Sequence, residues 1–153
     1  MMTRRRGFEK LREYENDETV KLPVRSTKGS AAYDLYAKES ATIKSGEKHK
    51  FKLGVKAYMQ EDEALFIITR SGNGTKRRVT LANNIGLIDS DYYDNEDNEG
   101  ELIVMLANDG TDDFEVKPGD RIAQAFFQKI LLADDDSVLA KMRKGGFGST
   151  GSN

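Results

Sequence analysis

Residues 83–93 read Asn-Asn-Ile-Gly-Leu-Ile-Asp-Ser-Asp-Tyr-Tyr, an apolar strand that ends in carboxylates and aromatic rings. Gly86 permits a tight bend, or the close approach of a planar ligand, where a side chain would stand in the way. Asp89 lies where the predicted strand reaches the surface, which suits a carboxylate that stays ionised beside a ligand. Tyr92 can offer a ring face or a hydroxyl to the same ligand. A hairpin whose aspartate caps its own turn would carry the same residues, so this stretch alone leaves both interpretations open.

Short predicted strands separated by turns continue on both sides of this stretch. Period-two alternation predicts a strand at 31–37, and residues 64–68 and 121–127 are typical of buried strands. Residues 4–18 fit either an edge strand or a frayed arm. Helical periodicity of useful length, internal repeats and domain-sized linkers are absent from the sequence. We therefore expect one all-β domain over residues 1–153, with a sandwich or jelly-roll arrangement.

The composition narrows the class of protein. A chain of 153 residues with 37% hydrophobic residues has a modest core, and a formal net charge of -2 argues against a nucleic-acid partner. The absence of cysteine excludes disulfides, thiolate metal sites and thiol nucleophiles. The sequence has neither an apolar run of membrane length nor a secretory h-region, so we expect a soluble cytoplasmic protein with no membrane partner. A small core also favours oligomerisation, because subunit interfaces add burial.

Several polar residues stand at positions that fit either a site or ordinary surface. Asp34 alternates with the apolar Tyr33 and Leu35, so it faces solvent or a ligand. Residues 69–76 follow a buried strand and combine glycines, a hydroxyl and a guanidinium, which suits an anion cradle or a polar hairpin. Gln124 interrupts an apolar strand, and a buried amide needs partners in a loop or in a ligand.

Two further segments have unusual composition. Residues 142–151 are rich in glycine and should be mobile. Phe147 fits a lid that lays its ring on a flat ligand, or a flexible linker with an accidental aromatic residue. Residues 89–101 contain seven acidic residues and no basic one, which is typical of a solvated face.

Five segments resemble, in order and spacing, the trimeric dUTP diphosphatase (dUTPase) family. They are Ala-Ala-Tyr-Asp-Leu at 31–35, Arg-Ser-Gly at 70–72, Gly-Leu-Ile-Asp-Ser-Asp-Tyr at 86–92, Pro-Gly-Asp-Arg-Ile-Ala-Gln at 118–124 and Gly-Gly-Phe-Gly-Ser-Thr-Gly at 145–151. Each is weak alone, but the ordered set is very specific. Residues 6–9 and the longer acidic loop resemble the Gram-positive bacterial and phage branch.

The resemblance implies a distorted jelly-roll (dUTPase-like β-clip) fold. It implies a homotrimer with shared active sites and a mobile C-terminal arm, approximately residues 142–153, that closes as a lid on a neighbour. The implied reaction is Mg-dependent hydrolysis of dUTP to dUMP and pyrophosphate, by in-line attack of water on the α-phosphate.

The resemblance also implies roles for individual residues. Asp89 would hold the attacking water, and Tyr92 would pack against the deoxyribose and leave no room for a ribose 2′-hydroxyl. Asn83 and nearby backbone, which includes Gly86, would read the uracil. The phosphates would be gripped by Arg70, Ser71 and Gly72, and waters around magnesium would be held by Asp34 and Gln124. The tail residues that would close over the nucleotide are Arg143, Phe147, Gly148, Ser149 and Thr150.

The implied chemistry needs neutralised charge and a well-placed water more than covalent help. A free aspartate, with a pKa of about 3.9, is a weak base at neutral pH, so Asp89 should mainly orient the water. Two alternatives remain. A dCTP deaminase shares the fold, and a nucleotide-sensing regulator could use the acidic loop to bind a regulatory partner protein.

Overall fold

The computed structural model describes residues 3–136, and most of their regular structure is β-strand. Short strands follow from the sequence, because turns with glycine or proline interrupt the apolar runs. Within the described residues the strands, in chain order, are β1 (Gly7–Lys10), β2 (Tyr33–Tyr36), β3 (Ala41–Ile43), β4 (Lys48–Lys52), β5 (Val55–Tyr58), β6 (Glu63–Ile68), β7 (Val79–Leu81), β8 (Gly86–Asp89), β9 (Ile103–Asn108), β10 (Phe114–Val116) and β11 (Arg121–Lys129). The predicted all-β fold is confirmed.

The strands pair antiparallel in four groups. The largest sheet has the order β2-β11-β6-β8, and a second sheet has the order β4-β9-β7. Two further strand pairs, β1-β5 and β10-β3, complete the sheets of the described residues. Because β11 and β6 lie at the centre of the largest sheet, they set the positions of the residues on its two outer strands.

The two faces of the largest sheet differ in burial, and the less buried face carries apolar as well as polar side chains. Leu65 and Ile67 of β6 point into the core together with Ala125 of β11, and all three are at most 1% exposed. On the other face, the rings of Phe66 and Phe126 stack with centroids 5.5 Å apart. Alternation along a strand accounts for the two faces, and aromatic rings occupy the middle of the outer one.

The apolar row on the outer face continues onto the edge strand. Leu87 of β8 pairs with Phe66 and is 59% exposed. A contiguous apolar row exposed on a sheet usually marks an interaction surface. We call Leu87, Phe66 and Phe126 the outer apolar row.

Residues 4–18 resolve the choice between an edge strand and a frayed arm. Their central part forms β1, which pairs with β5, and a 3₁₀ turn follows at Arg12–Tyr14. The ring of Phe8 packs against those of Tyr33 and Phe127, with 5.3 Å between centroids in each case. The strand is therefore fixed to the largest sheet by aromatic contacts.

The glycine-containing segment after β6 is helical rather than an open turn or a hairpin. It winds into a π-helical turn at Asn73–Arg77. The Arg70 carbonyl accepts hydrogen bonds from the backbone N–H of Asn73 and Gly74, both at 3.1 Å. Of the two interpretations of residues 69–76, the polar hairpin is wrong, because Gly72 adopts helical angles and lets the chain coil. The anion cradle stays a prediction.

The acidic loop at 94–100 keeps Asp94, Glu96 and Asp97 exposed, as its composition predicts, but it also makes ion pairs with the body of the protein. Lys56 of β5, whose side chain is 5% exposed, donates hydrogen bonds to Asp94 at 2.5 Å and to Glu99 at 2.7 Å. Arg12 adds ion pairs to Asp94 at 3.3 Å and to Glu99 at 3.6 Å. A buried ammonium requires such partners, so the loop is fastened to the body of the protein.

These contacts shift the titration of the ion pairs. Burial alone would lower the pKa of Lys56, but its hydrogen bonds with Asp94 and Glu99 raise it above the ordinary lysine value. Burial alone would raise the pKa of Glu99, yet the hydrogen bond from Lys56 holds it below the ordinary glutamate value. The charged forms of both groups are therefore stabilised by folding.

Candidate active site

One end of the largest sheet gathers a carboxylate and two guanidinium groups. Asp34 of β2 is 8% exposed, so the solvent-facing interpretation of this residue was wrong. Arg70 Nε lies 3.7 Å from Asp34 Oδ1, and Arg121 Nη1 lies 3.8 Å from Asp34 Oδ2. Both distances exceed a hydrogen bond. Two cations facing one anion give this end of the sheet a surplus of positive charge, which suits phosphate groups.

Gln124 lies beside Asp34 in the same sheet. The two residues are in register across β11 and β2, and Gln124 also pairs with Ile68 of β6. The Gln124 side-chain amide donates a hydrogen bond to the carbonyl of Thr69 at 3.2 Å. Its amide therefore ties the strand to the loop that carries Arg70, which was one of the two predicted roles.

A cleft opens beside these groups. Its volume is about 450 Å³, within the range of small-molecule sites. It is lined by Ser26, Ser30, Ala31, Ala32, Asp34, Ile68, Gln124 and Phe126. The cleft combines an apolar wall with a few polar groups, as ligand sites usually do.

Ser71 and Gly72 follow Arg70 and are exposed. A Cβ atom added at Gly72 would meet no described atom within 4 Å. Packing among the described residues therefore does not require glycine here, and the space beside it is open to a ligand.

Arg121 belongs to this cluster and received no role in the sequence analysis. It lies inside the Pro-Gly-Asp-Arg-Ile-Ala-Gln segment, at the first position of β11. An irregularity in the pairing with β2 falls between Arg121 and Ala123. Such irregularities re-aim side chains, and here the arginine reaches Asp34. The sequence feature that could have indicated this role is the position of Arg121, a cation directly after the tight turn at 117–120 and three residues before Gln124.

Asp89 lies elsewhere on the same sheet. It is the last residue of β8, has extended backbone angles (φ −76°, ψ 154°) and is exposed. Among the described residues its side chain makes no capping hydrogen bond to the 3₁₀ turn Ser90–Tyr92 that follows. The interpretation of Asp89 as a cap of its own turn is therefore wrong.

Gly86 and Asn83 lie at the other end of β8. A Cβ atom added at Gly86 would stand 3.0 Å from the Cβ of Ile67, so close packing of β8 on β6 accounts for this glycine. Asn83 is exposed in the preceding turn, where its carbonyl accepts a hydrogen bond from Ile85 N–H at 2.7 Å. The left-handed φ of Asn84, +65°, completes the turn.

Tyr92 is buried at 6% exposure, and its hydroxyl already has partners. It donates to the Glu101 carbonyl at 2.6 Å and accepts from the Asn98 side-chain amide at 2.8 Å. Both bonds engage the hydroxyl within the protein, which favours the ring face over the hydroxyl among the two predicted ligand contacts. The ring remains as the part of Tyr92 that can pack against a ligand.

The sheet register separates Asp89 from the Asp34 cluster. Asp89 pairs with Ala64 of β6, whereas Gln124 pairs with Ile68 of the same strand. Four residues of strand amount to about 13 Å. Phe66, which stacks on Phe126, lies between them on the same face. A single chain therefore brings Asp34, Arg70, Arg121 and Gln124 together but leaves Asp89 apart. The predicted tail residues Arg143, Phe147, Gly148, Ser149 and Thr150 lie outside the described residues.

Comparison with known proteins bears on this geometry. The dUTPase family model matches residues 18–151. The chain belongs to the dUTPase family. The deoxyuridine 5′-triphosphate nucleotidohydrolase of Lactococcus lactis is 42% identical over 147 residues, which cover 95% of this chain and 97% of that protein.

Solved structures agree with the assignment. The dUTPase of Streptococcus mutans superposes with a TM-score of 0.76 at 39% identity, covering 84% of this chain and 98% of that one. The dUTPase of Staphylococcus aureus phage phi11 reaches a TM-score of 0.72 at 20% identity, covering 88% and 96%, and shows the fold alone. The family, the β-clip or jelly-roll fold and the enzyme class predicted from the sequence are confirmed.

Proposed function

We propose that this dUTPase hydrolyses dUTP to dUMP and pyrophosphate in a homotrimer with shared active sites. Each site combines Asp89 of one subunit with the Asp34, Arg70 and Gln124 end of another. The separation of about 13 Å along β6 carries this proposal, because hydrolysis needs the water-holding carboxylate and the phosphate-binding groups on one nucleotide.

The outer apolar row supports the shared assembly. Leu87 alone is 59% exposed, and burying an apolar side chain contributes about 1.5–3 kcal/mol. Packing this face against a second copy would remove the row from water.

No helix of the described residues is long and apolar enough to cross a membrane.

The Asp34 end is proposed to bind the triphosphate. Arg70 and Arg121 offer planar donors that match phosphate oxygens, and the exposed Ser71 and Gly72 follow Arg70 in the chain. Gln124 holds the Arg70 loop in place through Thr69. Positioning and charge neutralisation are what phosphoryl transfer chiefly requires of a protein.

The donor set at this end fits magnesium in an outer-sphere role. Mg²⁺ keeps several waters and is usually bound by one or two carboxylates together with substrate phosphates. Asp34 is a single buried carboxylate, and the described residues contain no group of three or more His, Cys, Asp or Glu that could hold a metal directly. Asp34 and Gln124 would hold the waters of the ion. Magnesium, when bound, offsets the negative charge of the triphosphate. A structure of a phage phi11 dUTPase variant is described with a structural Mg(II) ion.

Asp89 is proposed to orient the attacking water in line with the α-phosphate. Its place at the end of β8 leaves the residue exposed, and within the described part of the chain its side chain does not cap the 3₁₀ turn that follows. The water oxygen bonds to the α-phosphorus as the bond from that phosphorus to pyrophosphate breaks, and the proton of the water is then released to bulk water. Asp89 therefore serves mainly for placement.

The remaining contacts define the nucleoside and the lid. The ring of Tyr92 packs against the deoxyribose, and Asn83 with the backbone near Gly86 reads the uracil. Residues 142–153 close over the nucleotide of a neighbouring subunit, where Arg143, Ser149 and Thr150 would contact the phosphates. Phe147 would stack on the base beside Gly148.

Product analysis of the wild type and Asp89→Asn tests the proposal. The nucleotides dUTP, dTTP, dCTP and UTP are each supplied with and without magnesium. We expect dUMP and pyrophosphate from dUTP in the presence of magnesium. Asp89→Asn should keep nucleotide affinity and lose most turnover, and Glu61→Gln, an exposed carboxylate before β6, serves as the matched control. Unchanged turnover in Asp89→Asn would refute the assignment, and ammonia from dCTP would establish the deaminase instead.

The cytoplasmic location and a regulatory protein partner stay predictions. Two carboxylates of the acidic loop are bound to Lys56, whereas Glu96 and Asp97 are exposed. Glu96 and Asp97 are exposed carboxylates of the loop outside the Lys56 pairs, so we expect a partner protein that binds the acidic loop to contact them. Capture of a host protein that is lost in Glu96→Lys/Asp97→Lys would support this role.

A further inference from the structure

The segment after Tyr92 is folded around that residue by two asparagines. The Asn95 side-chain oxygen accepts the backbone N–H of Asp97 at 2.9 Å and of Asn98 at 3.0 Å. Its amide nitrogen donates to the Tyr92 carbonyl at 2.7 Å and to the Asn98 side-chain oxygen at 2.8 Å. Asn98 in turn accepts the backbone N–H of Gly100 at 3.1 Å. The loop is thus a closed hydrogen-bonded unit rather than a loose connection.

One side chain of this unit reaches the ring of Tyr92. Asn98 donates its amide N–H to the Tyr92 hydroxyl at 2.8 Å, and that hydroxyl donates to the Glu101 carbonyl at 2.6 Å. Two hydrogen bonds from opposite partners fix the rotation of the hydroxyl and the end of the ring. A buried tyrosine with both bonds satisfied has little freedom to shift.

The unit is itself held from outside. Asp94 and Glu99 flank it, and both are paired with the buried ammonium of Lys56 and with Arg12. The amide N–H of Arg12 also donates to Glu99 at 2.9 Å. The chain of contacts runs from β5 through the loop to the ring of Tyr92.

We propose that Asn98 is a positioning residue for Tyr92 and thereby sets the discrimination of dUTP from UTP. The inference rests on the proposed function, in which the Tyr92 ring walls the deoxyribose. A rigid wall rejects an additional 2′-hydroxyl more strongly than a movable one, because an overpacked contact is costly when its neighbours cannot shift. Asn98 prevents that retreat by holding the far end of the ring.

The experiment compares kcat/KM for dUTP and for UTP in the wild type, Asn98→Ala, Tyr92→Phe and the double variant. Asn98→Ala should lower the dUTP/UTP ratio about tenfold, the scale of one hydrogen bond, and chiefly through faster UTP turnover. Tyr92→Phe keeps the ring but removes this bond together with the one to the Glu101 carbonyl, so its ratio should fall at least as far. Glu96→Ala, an exposed truncation on the same loop, serves as the control and should keep the ratio.

The double variant separates positioning from loop structure. If Asn98 acts through the Tyr92 hydroxyl, then adding Asn98→Ala to Tyr92→Phe should change the ratio by less than about twofold. An equal tenfold loss in both backgrounds would overturn the proposal, as would a wild-type ratio in Tyr92→Phe. The measurement on Tyr92→Phe can overturn the proposal even if Asn98→Ala does not fold. A wild type that does not hydrolyse dUTP would instead overturn the proposed function itself.

Discussion

Mixing two inactive variants should restore activity if the active sites are shared between subunits. One variant carries Asp89→Asn and the other carries Arg70→Ala, so each lacks one half of the proposed site. In trimers of identical variant chains every site is defective. In mixed trimers, a site that takes Asp89 from an Arg70→Ala chain and Arg70 from an Asp89→Asn chain is complete.

The expected recovery of activity follows from the division of the site between chains and from random assembly. In the proposed site each half comes from a different chain, since Asp89 and the Arg70 end lie about 13 Å apart along β6. Random assembly of equal amounts then makes about a quarter of the sites complete, so the mixture should recover about a quarter of the wild-type rate.

The two variants are unfolded together in denaturant, refolded, and assayed for pyrophosphate release from dUTP with magnesium at constant total chain concentration. Co-refolding Asp89→Asn with the double variant Asp89→Asn/Arg70→Ala is the control, because no pairing of those chains contains Asp89. Mixed trimers, verified with chains of different mass, that stay inactive would refute the shared site.

The remaining predictions concern stability. Lys56→Met should lower the free energy of unfolding by about 1.5–3 kcal/mol, because it removes the hydrogen bonds of a buried cation with Asp94 and Glu99; urea denaturation measures the loss. Glu99 has a lowered pKa, so its contribution is present above its unfolded value of 4.5 and is lost as the pH falls through the folded pKa. Lys56 has a raised pKa, so its contribution is present below 10.5 and is lost as the pH rises through the folded pKa. The difference between wild type and Lys56→Met should therefore be largest at neutral pH, and a difference that grows at pH 3 would contradict this reasoning. Gly86→Ala should cost about 1–3 kcal/mol, since its Cβ would crowd Ile67, whereas Gly72→Ala should leave the melting temperature within experimental error.

Local pattern was sufficient for the strands and for the general place of Asp89. Period-two alternation around Asp34 and the apolar run at 64–68 correspond to β2 and β6, because side-chain direction in a strand depends on near neighbours. The exposed end of β8 also followed from an apolar stretch that ends in carboxylates.

Contacts between distant parts of the chain could not be predicted in the same way. Lys56 and Asp94 are 38 residues apart, so the acidic run gave no sign that it neutralises a buried lysine. The hydroxyl of Tyr92 is used by a carbonyl nine residues later, which depends on how the loop closes. Arg121 reaches Asp34 through a local irregularity of β11, and strand periodicity contains no information on that irregularity.

The separation of Asp89 from Arg70 on one sheet has a consequence for a newly made polypeptide. If each catalytic centre needs residues from more than one subunit, a folded monomer is inactive. The specific activity must then fall when the protein is diluted below the dissociation constant of the assembly. The rate of hydrolysis per subunit would then depend on the protein concentration as well as on the substrate concentration. A cell would gain the activity only after the subunit concentration is high enough for assembly.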